Sequence, residues 1–203
     1  KNQQGKKVSV AAAIGVGVAY NEAKAEIAAG KTVSAGTGKL GIHAGTDTSY
    51  KTLASGVAVS DDVGVAAAVA LTATYNKTQA RLGAGTTVTK ASDVDVSAIS
   101  KQNRATDFQK TMSAEAVSGA SGGEVAVAGS LALVGNYNET QATIDEGVTL
   151  GTSGAPVGDV SVTAEETSKI SAQARAGALS AGGKSKAGVG ASFAVLLSYN
   201  KNT

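Results

Sequence analysis

The stretch GVGASFAVLLSYNKN, residues 188–202, alternates large and small side chains and then runs into a tyrosine–asparagine pair. The same pair stands at Tyr20-Asn21, Tyr75-Asn76, Tyr137-Asn138 and Tyr199-Asn200, at spacings of 55, 62 and 62 residues. Recurrence at a long, nearly fixed period within 203 residues marks an internal repeat, so the repeat is the unit to be explained. Ten residues before each tyrosine is a valine: Val10, Val65, Val127 and Val189. Six before stand Ile14, Val69, Leu131 and Phe193, and four before stand Val16, Leu71, Leu133 and Val195. The residues between them, Gly15, Ala70, Ala132 and Ala194, are small. Large residues at every second position describe a strand with one face buried, and a helix would repeat them every third or fourth. The large residues are the ones expected inward, so Val127→Asp or Leu131→Asp is expected to break the fold.

After the tyrosine the phase reverses. Ala25, Ala80 and Ala142, then Ile27, Leu82 and Ile144, become the positions that read as buried. A one-residue shift of phase sends side chains to the opposite face unless the chain bends. Asparagine tolerates left-handed backbone angles, so each Tyr-Asn pair reads as a structural corner. Gly30, Gly85 and Gly147 follow ten residues later as a second corner, and Thr32-Val33, Thr87-Val88 and Thr149-Leu150 as a short strand beyond it. Variable loops, one holding the single proline Pro156, lead to strands at KLGIHA (39–44), DVDVSA (93–98) and DVSVTA (159–164). Further strands read at TMSAEAVSG (111–119) and KISAQARAGALS (169–180), before Gly-rich turns at Gly122-Gly123 and Gly182-Gly183.

Strands and corners recurring in this way predict an all-β chain, a β-solenoid whose turns cover one another. The repeats fall at roughly 8–62, 63–124 and 125–186, with a partial copy at 187–203, in a single solenoid segment. Two turns of about 31 residues per repeat, or six to seven rungs, are expected, with three shorter turns as the alternative. Alanine and glycine at many inward positions predict a narrow, flattened interior. A β-sandwich is the competing architecture, but the Asn-Gly and Asp-Gly hairpin signals that it needs between strands are missing.

Composition limits the function classes. Hydrophobic residues are 42% but aromatics only 3%, which suits a thin core of β-branched and small side chains. Cysteine is absent, removing disulfides and thiolate metal sites. The net charge of +2 is scattered, so no nucleic-acid footprint forms. The apolar run near 186–199 is too short and Gly-rich to span a bilayer, so no membrane insertion is expected. The opening KNQQGKK has no signal-peptide core, and the repeat runs off the C-terminal end as if cut from a longer array.

Each tempting motif can be compared across the copies. AAGKT (28–32) resembles the end of a phosphate loop, but its counterparts read GAGTT and DEGVT. His43, the one histidine, aligns with Ser97 and Thr163 on the outward side of a strand whose inward residues are Leu40, Ile42 and Ala44. Alone, it reads as a surface residue, and His43→Ala is expected to be silent. Asp61-Asp62, Asp93/Asp95, Asp145-Glu146 and Glu165-Glu166 fall at different points of the repeat, which suits solvated charge better than a glycosidase pair or a calcium site. TDTSYKT (46–52) hints at an ice-binding ladder that the other copies do not keep. Arg81, Arg104 and Arg175 occupy three different repeat positions, so no basic catalytic cluster forms. Asn76-Lys77-Thr78 and Asn138-Glu139-Thr140 match the acceptor pattern for N-linked sugar, making Asn76 and Asn138 candidate glycosylation sites. Asn21-Glu22-Ala23 keeps the asparagine without the acceptor, which favours a structural role. No catalytic residue, metal ligand or cofactor is assigned.

GVGASFAVLLSYNKN together with NETQATIDEGVTL (138–150) resembles the repeats of large secreted bacterial adhesins and filamentous exoproteins, of the leukotoxin-type filamentous and filamentous-haemagglutinin-like kinds. The likeness covers about three copies, although the Gly-Val-Gly-Ala-Ser block is intact only near residue 188. It implies a right-handed parallel β-helix, export to the bacterial cell surface or beyond, and a role as shaft or adhesive fibre without catalysis. The expected partners are neighbouring repeats, other copies joined end to end, or a host surface protein or glycan gripped along one face. Carbohydrate platforms usually expose aromatic rings, and only Tyr50 lies outside the repeated tyrosine position.

Overall fold

A computed structural model describes residues 7–102, 112–180 and 187–203. The first repeat forms β1 (Val8–Ile27), β2 (Thr32–Ser34), β3 (Leu40–Asp47) and β4 (Lys51–Val59). The second forms β5 (Val63–Leu82), β6 (Thr87–Lys90), β7 (Val94–Gln102) and β8 (Met112–Gly122). The third forms β9 (Val125–Ile144), β10 (Thr149–Leu150), β11 (Val160–Ser168) and β12 (Ile170–Ser180), and β13 (Ala187–Asn202) opens the next. Like elements pair with like in four parallel sheets: β1-β5-β9-β13, β2-β6-β10, β3-β7-β11 and β4-β8-β12. This is a parallel β-solenoid, and the parallel pairing between repeats rules out the sandwich of hairpins. Tyr20 pairs with Tyr75, Tyr75 with Tyr137 and Tyr137 with Tyr199, so the repeat register is the strand register.

The count of turns differs from the sequence expectation. Each repeat makes one large turn of four strands, not two of half the length. A 20-residue strand forms one layer. The opposite layer is made by two shorter strands in sequence: β3 and its equivalents lie over the C-terminal half of the long sheet, and β4 and its equivalents over the N-terminal half. Gly30, Gly85 and Gly147 turn the chain between layers with φ of 69°, 66° and 69°, a region glycine enters without a Cβ clash, and this corner matches the sequence reading.

The Tyr-Asn pair is not a corner. β1, β5 and β9 run unbroken through it, and burial alternates without a phase shift along the whole of β5. Ala66, Ala68, Ala70, Thr72, Thr74, Asn76, Thr78, Ala80 and Leu82 point inward, while Val65, Val69, Leu71 and Tyr75 point outward. What changes at the tyrosine is the side of a straight strand that carries the large apolar residues. Before it they face out, and after it, at Ile27, Leu82 and Ile144, they face in.

The expected inward assignment of Val10, Ile14, Val16 and their counterparts is therefore reversed, for a steric reason. The interior under this half is filled by alanine on both layers: Ala68, Ala70, Ala114, Ala116 and Ala132 in one cluster, Ala58, Ala66, Ala120, Ala126 and Ala128 in another. Two layers this close leave little volume beyond alanine, and Val134 is the one larger aliphatic side chain buried in either cluster. A Cβ on Gly56 would collide with the carbonyl oxygen of Ala67, and one on Gly17 with the ring of Tyr50. The third cluster, beside the glycine corner, holds the larger Leu82, Val88, Val94 and Val96, with Ile42 and Ala44. There the sequence reading of Leu40, Ile42 and Ala44 as inward is correct. Arg104 and Gly182-Gly183 lie outside the described residues.

Candidate functional site

Two linear arrays come out of the register, one inside and one outside. Inside, the asparagines form a ladder. Asn21 Nδ2 donates to Asn76 Oδ1 at 2.8 Å, Asn76 Nδ2 to Asn138 Oδ1 at 2.8 Å, and Asn138 Nδ2 to Asn200 Oδ1 at 2.9 Å. Around it lies a buried polar strip. Thr74 donates to Asn136 at 2.6 Å, Asn136 donates to Gln102 at 3.1 Å, and Gln102 donates to Asn138. Thr46 shares a 2.8 Å hydroxyl hydrogen bond with Thr78 and donates to Ser100 at 3.1 Å. Thr140 Oγ1 is buried without a partner. The glycosylation reading of Asn76 and Asn138 fails here: they are 1% and 0% exposed, and a transferase cannot reach their amides in the folded chain. The threonines of TDTSYKT also turn inward at Thr46 and Thr52, so they make no ice-binding face.

Glu166 enters this strip from β11, in the row of Ser100. Asn138 Nδ2 donates to its Oε1 at 2.6 Å. The side-chain amide of Asn202 approaches its Oε2 at 3.2 Å. Burial raises the Glu166 pKa above the ordinary carboxyl value, and the Asn138 hydrogen bond opposes the rise. Sequence reasoning placed Glu165-Glu166 among solvated charges. The signal for the difference was the alternation from Ala164, which puts Glu165 outward and Glu166 inward.

Outside, Tyr20, Tyr75, Tyr137 and Tyr199 stack with centroids 5.1, 4.9 and 5.1 Å apart, the first two pairs within 3° of parallel. Both faces of Tyr75 and Tyr137 are covered by neighbouring rings, and Tyr20 and Tyr199 are covered on one face each. The ladder divides the outer face of the long sheet. On its N-terminal side lie the rows of Val10, Ile14, Val16 and Val18 with their counterparts, and Ile14 is 76% and Phe193 68% exposed. Smaller residues, Ala73 and Gly135, sit beside the rings and leave a shallow groove of about 520 Å³ along the solenoid axis. On the C-terminal side the rows are charged. Lys77 and Lys201 flank Glu139 at 4.0 and 3.6 Å, and Arg81 lies 3.7 Å from Glu26 and pairs with Asp145. Arg81 holds the Asp145 carboxyl below its usual range.

The remaining candidates stay dispersed. His43 is exposed on β3, in register with Ser97. Lys31 follows the glycine corner. Asp95 pairs with Lys39 at 2.9 Å. The carbonyls of Asp61 and Asp62 accept backbone hydrogen bonds from Gly123 and Glu124, each at 2.9 Å. Arg81 and Arg175 belong to different sheets. Among the described residues no three acidic or histidine side chains converge on a metal position, and no helix is long and apolar enough to cross a membrane. Comparisons with protein-family models, curated proteins and solved structures found no match for the chain. The outer face of the long sheet is the feature that a lone folded turn does not need. It is the candidate site.

Proposed function

We propose that the chain is structural: a rigid shaft or spacer of a secreted or surface-anchored bacterial adhesin, contributing to cell attachment or to an extracellular fibre, without catalysis. The observation that carries this is the uninterrupted register of the long strands from turn to turn, with the same residue in the same row of each copy at Tyr20, Tyr75, Tyr137 and Tyr199. A body built this way adds about 4.8 Å along its axis per turn, the spacing of neighbouring strands, and resists bending because every turn is hydrogen-bonded to the next. The adhesin assignment rests on the resemblance of the repeats.

A second reading is a binding module that holds a host protein or polysaccharide along one face. The exposed apolar rows favour a protein over a glycan, because along the sheet the Tyr75 and Tyr137 rings turn edges, not faces, to a ligand and cannot stack on a sugar. The two readings separate when the segment is replaced, in its native polypeptide, by an unrelated rigid spacer of equal length. A shaft is replaceable, so attachment of the bearing cells is retained. Loss of attachment at normal surface display contradicts the shaft.

A further inference from the structure

We infer that the apolar outer face of the long sheet is a pairing surface for a second copy of this chain, packed face to face with the two solenoid axes antiparallel. Three observations carry it.

The first is exposure. Between Val8 and Tyr20, and in the matching parts of β5, β9 and β13, the outward rows are almost wholly Val, Ile, Leu, Phe, Ala and Gly, and no described element lies over them. Soluble proteins rarely leave contiguous apolar area of this extent uncovered.

The second is area. At about 3.3 Å per residue and about 4.8 Å per strand, the four apolar segments make a face of roughly 40 by 19 Å, or roughly 800 Å². That is the share that one partner contributes to a standard stable interface, about 800 Å².

The third is charge, and it fixes the orientation. The row after the tyrosines reads Glu22, Lys77, Glu139, Lys201 across the sheet. A two-fold axis along the strands, between β5 and β9, brings Glu22 opposite Lys201 and Lys77 opposite Glu139 in both halves of the pair. The next row brings Gln79 opposite Gln141, and the one beyond it Arg81 opposite Thr143. No like charges meet. The other face-to-face arrangement, with parallel solenoid axes, runs the strands antiparallel and carries Lys77 toward Asp61 but Glu139 toward Glu124, just before the partner's long strands, a mixed rim that the first arrangement avoids. Rim pairs contribute little affinity but choose orientation. This pairing goes beyond the shaft reading and does not depend on it, since a spacer can be replaceable whether or not it pairs.

Sedimentation equilibrium of the 203-residue chain tests it. The expected result is a dimer at micromolar concentration. Val69→Lys and Leu131→Lys change outward side chains in the middle of the face, so both variants keep the far-ultraviolet circular dichroism of the parent and sediment as monomers. Val57→Lys, on the outer side of β4, stays dimeric. Lys77→Glu weakens the dimer about tenfold at low salt by turning two symmetry-related attractions into repulsions, and adding Glu139→Lys restores it. A monomer at these concentrations overturns the proposal, and if that monomer floats with phosphatidylcholine vesicles the face belongs to a lipid surface instead. A dimer that survives Val69→Lys or dissociates with Val57→Lys overturns the face, and one indifferent to Lys77→Glu overturns the orientation.

Discussion

Asn138 joins three turns through one side chain, accepting from Asn76 and donating to Asn200 while it also meets Gln102 and Glu166. Its removal leaves several buried amide groups unpaired, each costing about 1–3 kcal/mol. Asn138→Ala is therefore expected to lower unfolding stability by about 3 kcal/mol, read from denaturant midpoints. Tyr137 stands on the outside, where its ring stacks on two neighbours; losing two aromatic pairs at about 0.5–1.5 kcal/mol each should cost Tyr137→Ala about 1–3 kcal/mol without loss of fold. Glu166 responds to pH. Its folded pKa is raised above the ordinary 4.5, so its contribution to stability is fully present below that value and is lost as pH rises through the folded one. Glu166→Gln mimics the neutral acid. It should raise the melting temperature at neutral pH, with the gain vanishing as pH falls below 4.5. A gain that persists in acid would show that the carboxylate is not the cause.

At the scale of the strand, β9 carries the lesson in two adjacent residues. Leu131 faces out and Ala132, 0% exposed, faces in. The alternation itself was legible in the sequence, as were the glycine corner, the short strand after it and the inward face of β3, where large residues and burial coincide. The face of the long strands was not, because placing large apolar residues inside presumes room for them. The copies did hold a clue. Outward rows vary in size, as in Ile14, Val69, Leu131 and Phe193, whereas most inward rows, such as Ala11, Ala66, Ala128, Gly190 and Asn21, Asn76, Asn138, Asn200, stay small or constant, the row of Gly17, Thr72, Val134 and Leu196 being an exception. Close packing tolerates little change of volume, so uniform small rows mark an interior even when they are the less hydrophobic choice. The corner reading of Tyr-Asn failed with it, since the apparent phase shift was apolar character changing sides on a straight strand. Leu131→Asp should now leave the fold intact, and Ala132→Asp should abolish it by burying an unpaired charge, a cost of several kcal/mol. Circular dichroism of the two variants separates the cases.

The whole molecule is a slab. Its long strands of 20 residues extend about 65 Å across, while each turn adds only about 4.8 Å along the axis. Because one repeat is one turn, deletion of residues 63–124 should bring Tyr20 onto Tyr137 and leave a cooperatively folding solenoid one turn shorter, whereas deletion of half that length should not fold. The apolar outer face and the polar inner ladder belong to the same inversion of the usual pattern, and that inversion was the part of the candidate site that the sequence hid. The chain contains no cysteine, so single thiols can report it directly. The decisive measurement is the native-state labelling rate of Leu131→Cys and Ala132→Cys at a dilution where the chain is monomeric. On this account the thiol at 131 is expected to react far faster than the thiol at 132, which is protected. Protection at 131 with rapid reaction at 132 would put the large residues inside and contradict it.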